Sequence, residues 1–195
     1  MRGNKNRRKI FLASSSPRRR MLLDSLGISY KVVLPRVREV NDSKKSATKL
    51  VIENARLKAR DVAGRLESGI VIAADTIVSV GRHRFNKPGN KKEALSMLKA
   101  LGGRIHTVFT GLYIIDIESG KHFLDVSKTK VKLRNLGPKQ ALRYLESMRP
   151  LDKAGSYAAQ DARSMIIDKV YGSLSNVVGL PLDLLEKRLK SIRAI

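Results

Sequence analysis

The sequence predicts an α/β (α+β) fold in which short strands and amphipathic helices alternate along the chain. Of its 195 residues 42% are apolar, an ordinary share for a globular domain and enough to build a core. Apolar residues recur at helical spacing in several segments, and apolar runs of strand length separate those segments. The length suits one domain, residues 1–195, with two lobes that share a sheet.

The composition also excludes several classes of protein and site. The chain has no cysteine, so it holds no disulfide, no thiolate metal site and no cysteine nucleophile. No apolar run approaches the ~20 residues of a membrane-spanning helix, and the apolar patch at residues 10–13 is too short for the core of a signal peptide. We therefore expect a soluble, cytoplasmic protein without membrane contact.

The first third of the chain predicts a strand, a helix, a second strand and a long helix. Ser16 is a favoured N-cap, Pro17 suits the first helical position, and Gly27 suits the left-handed position that follows a helix. The long helix has its apolar residues at helical spacing on one side. The predicted strands span residues 9–14 and 29–34, and the predicted helices span residues 17–26 and 47–66.

The rest of the chain predicts a buried central strand, a hairpin and three further helices. Residues 70–74 form a continuous apolar run, typical of a buried strand, and Asp75 stands at its end. After a turn over residues 81–88, Asn90 and Glu93 form a capping-box pattern at the start of a helix. That helix stops at residues 102–103. It is followed by a hairpin of strands 105–117 and 123–133, a helix over residues 138–148, a glycine-containing loop and a helix from about residue 181.

Positive charge is the most unusual property of the composition. The chain has 40 Lys and Arg against 17 Asp and Glu, a formal net charge of +23. This charge favours anionic partners, of which nucleic acid is the first candidate. The basic residues are scattered, aromatic residues make up only 5% and tryptophan is absent, so the stacking platform of single-strand binders is missing. Two interpretations stay open, a solvated basic surface and a nucleic-acid or polyanion binder, and the first is favoured.

Three segments combine polar groups in a way that suits a ligand site. The junction at residues 14–20 (SSSPRRR) offers backbone N–H groups, hydroxyls and guanidinium groups to an anion, although a simple capped helix explains it equally well. Asp75 and Thr76 follow a buried strand, where a carboxylate can hold a metal or activate water, but capping of the next turn is the plainer explanation. Residues 152–160 join a small-residue turn to polar groups, as an ordinary surface loop also does.

Several familiar motifs are absent from the sequence. It contains no Walker A motif, no GxGxxG and no GxSxG, which argues against P-loop, Rossmann and nucleophile-elbow chemistry. The three histidines, His83, His106 and His122, lack the paired spacing of metal ligands. His106 falls in a predicted strand and is interpreted as structural.

A series of segments from residue 12 to residue 182 shares its order and spacing with one known family. They are LASSSPRRRMLLDSLG at residues 12–27, Glu39, Lys58-Ala59, AADTIV from residue 73, Lys87-Pro88, EALSMLKALGGRIHTVFTG from residue 93, DKAGSYAAQ from residue 152 and NVVGLPL from residue 176. In this arrangement the chain resembles the Maf family of nucleoside triphosphate pyrophosphatases. The resemblance implies a Maf/ITPase-like fold, with an elongated mixed sheet flanked by helices, two lobes around a deep cleft, and a homodimer.

The resemblance also implies a reaction and the residues that carry it. The reaction is hydrolysis of dTTP and UTP to the nucleoside monophosphate and pyrophosphate, by water attacking the α-phosphorus with the help of Mg²⁺ or Mn²⁺. A nucleotide-binding regulator of cell division without turnover is the alternative. The implied catalytic residues are Asp75, Lys58, Lys87 and Glu39, the implied substrate-binding residues are Ser14, Ser16, Arg18, Arg19, Thr76 and Gln160, and the implied metal ligands are Glu39 and Asp75.

Overall fold

The computed structural model describes residues 8–81, 83–85, 87–147 and 166–195. In these residues the strands form one mixed sheet, and helices pack on its faces. The predicted α/β class is confirmed. The strands are β1 (Ile10–Leu12), β2 (Lys31–Val32), β3 (Ile70–Val80), β4 (His83–Phe85), β5 (Ile105–Asp116), β6 (His122–Leu133) and β7 (Ile167–Tyr171). The helices are α1 (Pro17–Asp24), α2 (Ala47–Ala63), α3 (Lys91–Leu101), α4 (Pro138–Ser147), α5 (Leu174–Val178) and α6 (Leu182–Ser191).

The sheet is organised around the long strand β3. The strand order is β2-β1-β3-β5-β6-β7, with β4 paired to the end of β3. Strands β1 and β2 are parallel, as are β1 and β3, and the other pairs are antiparallel. Strand β1 pairs with β3 only as far as Ile72, and β4 begins to pair at Val78. Between these points one edge of β3 has no neighbouring strand among the described residues.

The two faces of β3 pack against different helices. Successive side chains of a strand point to opposite faces: Ile70 and Ile72 pack with α1 and α6, whereas Val71 and Ala73 pack with α2. Both sets are fully buried, which explains the continuous apolar run in the sequence. The same alternation puts residue 75 on the α2 face and residue 76 on the α1 face.

Local signals in the sequence located most element ends correctly. Ser16 is the N-cap of α1, and Gly27 has a φ of +64° after the helix. The Asn90 side chain accepts the Glu93 backbone N–H at the start of α3. The Glu93 carboxylate bonds the N–H of Gly89, which is one residue earlier than a capping box requires.

Three details of the predicted secondary structure are wrong. The central strand does not end before Asp75 but continues to Val80, because β5 pairs with it from Ile70 to Ser79. Residues 83–85, predicted as part of a turn, form β4 against the end of β3. The predicted loop before the last helix contains β7, which pairs with β6, and α5, which packs on β5 and β6.

Two further sequence expectations concern membrane contact and His106. Among the described residues, no helix has the length and apolar character of a membrane span. His106 is 1% exposed in β5, and burial lowers its pKa to about 4. It does not line the cleft described below, as expected of a structural residue.

Candidate active site

A cleft of about 650 Å³ opens at the uncovered edge of β3. Its walls come from the β1–α1 junction, residues 35–41, the inner face of α2, the middle of β3 and the end of α5. Nine of the ten residues implied by the family resemblance line it, and the tenth, Gln160, lies outside the described residues together with the rest of segment 152–160. The nine are Ser14, Ser16, Arg18, Arg19, Glu39, Lys58, Asp75, Thr76 and Lys87.

The cleft draws groups from both faces of the sheet because β1 is short. Strand β1 ends at Leu12 and the chain turns into α1, while β3 continues for eight residues beyond the partner of Leu12. Asp75 and Thr76 are adjacent in β3 and point to opposite faces. With no strand on the outer side, both side chains reach the same opening.

On the α2 face, Lys58 joins two carboxylates. Its side chain is buried, and its Nζ lies 2.6 Å from Asp75 Oδ1 and 2.6 Å from Glu39 Oε1. The two carboxylate oxygens are therefore no farther apart than twice that distance. The buried Lys58 ammonium thus pairs with the buried Asp75 carboxylate and with the half-exposed Glu39, and its removal would leave the buried Asp75 charge without its ammonium partner.

Helix α2 approaches the sheet closely because β5 has a glycine at the crossing point. Gly111 pairs with Asp75 across the sheet. A Cβ at this position would lie 2.4 Å from the carbonyl oxygen of Val51 in α2, well inside van der Waals contact. The missing side chain thus allows the backbone of α2 to lie against the sheet at the position that pairs with Asp75.

A second α2 side chain contacts Asp75, and sequence reasoning missed it. Asn54 is 3% exposed, and its Nδ2 donates to Asp75 Oδ2 at 3.2 Å. The same amide forms two hydrogen bonds with the backbone of Val40. The sequence contained a signal, because Asn54 lies one helical turn before Lys58 on an otherwise apolar face.

On the α1 face, Arg19 is held by neutral acceptors. Its Nε donates to the Gly179 carbonyl at 2.8 Å, and its terminal nitrogens donate to Ser14 Oγ and Thr76 Oγ1, each at 3.2 Å. Among the described residues no carboxylate forms an ion pair with Arg19, and one N–H on each terminal nitrogen has no partner. Burial lowers the pKa of Arg19, and the charges of Asp75 and Glu39 oppose this shift. The guanidinium is therefore a charge that an anionic ligand would stabilise.

Thr76 takes part in the site by orienting Arg19. The Thr110 hydroxyl donates to the Asn176 carbonyl at 3.2 Å, so it accepts the proton of Thr76 at 3.0 Å. The Thr76 proton is thereby directed into the sheet, and its oxygen is left to accept from Arg19. This chain of donors gives the guanidinium a defined orientation towards the cleft.

The cleft carries an excess of positive charge. Its lining includes the side chains of two acidic residues, Glu39 and Asp75, against five basic ones. Partial burial raises the pKa of Glu39, but Lys58 and, to a smaller extent, Lys87 and Arg19 together lower it further, so the net pKa lies below its usual value. Glu39 is therefore a carboxylate at neutral pH. The basic residues of the lining are Arg18, Arg19, Arg38, Lys58 and Lys87.

Glu39 and Asp75 fit a divalent cation as a pair of ligands, not as a complete set. Among the described residues no group of three His, Cys, Asp or Glu side chains could hold a metal. Mg²⁺ commonly binds one or two protein carboxylates and completes its octahedron with water and substrate phosphates. The donor set thus suits a cation that is bound together with a phosphate chain.

The arrangement can bind a polyphosphate and activate water beside it. Guanidinium and ammonium groups stabilise negative charge on phosphate oxygens, and a preorganised carboxylate can accept a proton from an attacking water. Arg19 lies on the α1 face and the Asp75 carboxylate on the α2 face, so a phosphate chain bound at the sheet edge would reach both.

Comparisons with known proteins identify the family and agree with this fold. A family model described as "Maf-like protein" matches residues 9–192. The "dTTP/UTP pyrophosphatase" of Caldanaerobacter subterraneus subsp. tengcongensis is 44% identical over 183 residues, 93% of this chain and 88% of its own. The protein of that name from Dictyoglomus thermophilum is 38% identical over 177 residues, 90% of this chain and 92% of its own. The solved structure of the Staphylococcus aureus Ham1 protein covers 94% of this chain and 98% of its own, with a TM-score of 0.53 and 17% identity, a likeness of fold alone.

Proposed function

The chain belongs to the Maf-like protein family, and on that premise we propose that it is a pyrophosphatase that hydrolyses dTTP and UTP to the nucleoside monophosphate and pyrophosphate. Relatives of that name match nine-tenths or more of its length. The structural observation that carries the proposal is Arg19, whose charge meets only neutral partners among the described residues, in the same cleft as the carboxylates of Glu39 and Asp75.

Substrate binding is assigned to the α1 side of the cleft. The two N–H groups of Arg19 that have no partner among the described residues suit two phosphate oxygens, and the start of α1 adds the N-terminal end of a helix dipole. Arg18 and Lys87, which also line the cleft, add charge along the phosphate chain. These cations stabilise the charge that develops on the leaving pyrophosphate.

Proton transfer is assigned to Asp75. Lys58 and Asn54 each donate to one of its oxygens, which orients the carboxylate and leaves a lone pair on each oxygen for a water molecule. Asp75 accepts the proton of the water that attacks the α-phosphorus, the bond between the α-phosphorus and the bridging oxygen breaks, and pyrophosphate leaves. A divalent cation, Mg²⁺ or Mn²⁺, held by Glu39 and Asp75 would neutralise phosphate charge and lower the pKa of a bound water.

The proposal also covers features that rest on the family premise. We also propose that Gln160 and Ser16 contact the substrate, that the protein forms a homodimer and that it is located in the cytoplasm. The proposal treats residues 1–195 as one domain with two lobes, which is supported by the single sheet that connects the described strands.

The test is release of pyrophosphate from a nucleotide panel. The protein is assayed with dTTP, UTP, dCTP, dATP and GTP in the presence of Mg²⁺ or Mn²⁺, and we expect dTTP and UTP to be the best substrates. Asp75→Asn should lower kcat by ~10² or more, because it removes a group that acts in the transition state. Asp168→Asn is the matched control, since this carboxylate is exposed on β7 and pairs with Lys132 away from the cleft. Absence of hydrolysis for every nucleotide, or an undiminished rate in Asp75→Asn, would refute the proposal.

A further inference from the structure

The segment that carries Glu39 has no regular secondary structure of its own. Residues 33–46, between β2 and α2, contain neither helix nor strand. Part of the backbone of this segment is held by side chains at and just after the C-terminal end of α2. Asp61 accepts the Arg36 N–H at 2.9 Å, and Arg65 donates to the Leu34 carbonyl at 2.8 Å. The position of Glu39 therefore depends on tethers from outside the segment.

Asn54 is the tether next to Glu39. Its Oδ1 accepts the Val40 N–H at 2.8 Å, and its Nδ2 donates to the Val40 carbonyl at 3.1 Å. These paired bonds determine which side of the amide carries oxygen, because an exchanged amide would oppose donor to donor and acceptor to acceptor. The second Nδ2 hydrogen is thus left for Asp75, which it reaches at 3.2 Å.

We propose that Asn54 is a positioning residue that holds Glu39 and Asp75 in register around Lys58, and so sets the geometry of the reacting carboxylates. One buried amide contacts the neighbour of Glu39 and the Asp75 carboxylate at the same time. Lys58 alone attracts both carboxylates but is a point charge on a flexible stem, which does not specify direction. Asn54 supplies the direction, because each of its three bonds is oriented.

The inference rests on the proposed function for its kinetic consequence only. If Asn54 positions carboxylates that act on the reacting water, its loss lowers kcat far more than it raises KM, because the phosphate contacts proposed for Arg18 and Arg19 lie on the α1 side of the cleft. If Asn54 merely fills space in α2, its loss lowers stability and leaves kcat of the folded protein unchanged.

The experiment compares Asn54→Ala with Val62→Ala in the full chain. Val62 is fully buried on the same helix two turns later and does not line the cleft, so its truncation weakens α2 without touching the site. At a temperature where both variants are folded, we expect Asn54→Ala to lower kcat for dTTP about 10²-fold with KM within about threefold. Val62→Ala should keep the wild-type kcat.

Two further measurements separate positioning from packing. Amide hydrogen exchange at Val40 should become roughly tenfold faster in Asn54→Ala and stay unchanged in Val62→Ala, because only the first removes the acceptor of that N–H. In a double-mutant cycle with Glu39→Gln, the kcat losses should be less than multiplicative, since Asn54 acts in part through Glu39.

The outcomes are distinguishable from failure of the proposed function. A wild-type protein without nucleotide hydrolysis refutes that function, while the exchange rate at Val40 still tests the tether. If the wild type is active, any of four results overturns the role of Asn54. These are an unchanged exchange rate at Val40 in Asn54→Ala, equal kcat in the two alanine variants, a loss in Asn54→Ala that is confined to KM, and independent effects of Asn54→Ala and Glu39→Gln in the double-mutant cycle.

Discussion

Gly111→Ala should perturb Asp75, the proposed catalytic carboxylate, from a distance, without altering any side chain of the cleft. The added Cβ would lie 2.4 Å from the Val51 carbonyl oxygen and 2.6 Å from its carbon, against an optimal separation of about 3.5 Å. Helix α2 must therefore retreat from the sheet by about 1 Å. The short side chain of Asn54, whose Nδ2 is 3.2 Å from Asp75 Oδ2, would then lie beyond hydrogen-bond reach, and we expect kcat to fall ~10²-fold.

The assay is the initial rate of pyrophosphate release at saturating dTTP, with thermal melts to confirm that the variants are folded. Overpacking should also lower the free energy of unfolding by about 1–3 kcal/mol. Gly64→Ala is the matched control: it adds the same methyl group at the end of α2, where the backbone has φ −65° and the nearest atom is 3.4 Å away. A folded Gly111→Ala protein whose kcat stays within about twofold of wild type would show that the distance between α2 and the sheet does not control the site.

Two other predictions follow from Arg19 and His106. Arg19→Lys should lower kcat/KM for dTTP ~10-fold or more, because one ammonium cannot replace a fork held at Ser14, Thr76 and Gly179; equal loss in Arg20→Lys, an exposed neighbour, would contradict this. His106 has a pKa of about 4 when folded and about 6.5 when unfolded, so the unfolded chain binds a proton first as pH falls. Stability should drop by up to about 3 kcal/mol between pH 6.5 and 4, and a plot of Tm against pH should flatten in His106→Gln but not in His122→Gln, where the histidine is exposed.

The charge that dominates the composition has only a small share in the site. Of the basic residues that the structure describes, five line the cleft, whereas the chain has 40 basic residues in all. The resemblance pointed to four of these five through the motifs around residues 18, 58 and 87, and Arg38, which precedes Glu39 in the sequence, also lines the cleft. The comparisons support the pyrophosphatase, and no contact in the described residues favours a nucleic-acid binder over a solvated basic surface.

Local sequence signals predicted the helices and long strands well because those signals act over a few residues. The N-cap at Ser16, the cap at Asn90 and the hairpin at residues 118–120 depend on neighbouring backbone groups alone. The misjudged elements depend on distant partners. Strand β3 continues past Asp75 only because β5 pairs with it, and β7 exists only beside β6.

By itself the sequence determined the order of the helices and long strands it predicted, the family and nine of the cleft residues, since periodicity, caps and motifs depend on residues close together in the chain. Only the tertiary structure decided which face of the sheet each of those residues occupies and which side chains contact one another. Asp75 and Thr76 face opposite sides of a continuing strand, Thr76 orients Arg19, and Asn54 links Val40 to Asp75. These relations depend on where β1 stops and on how closely α2 approaches Gly111, and both are set by packing between segments far apart in the chain.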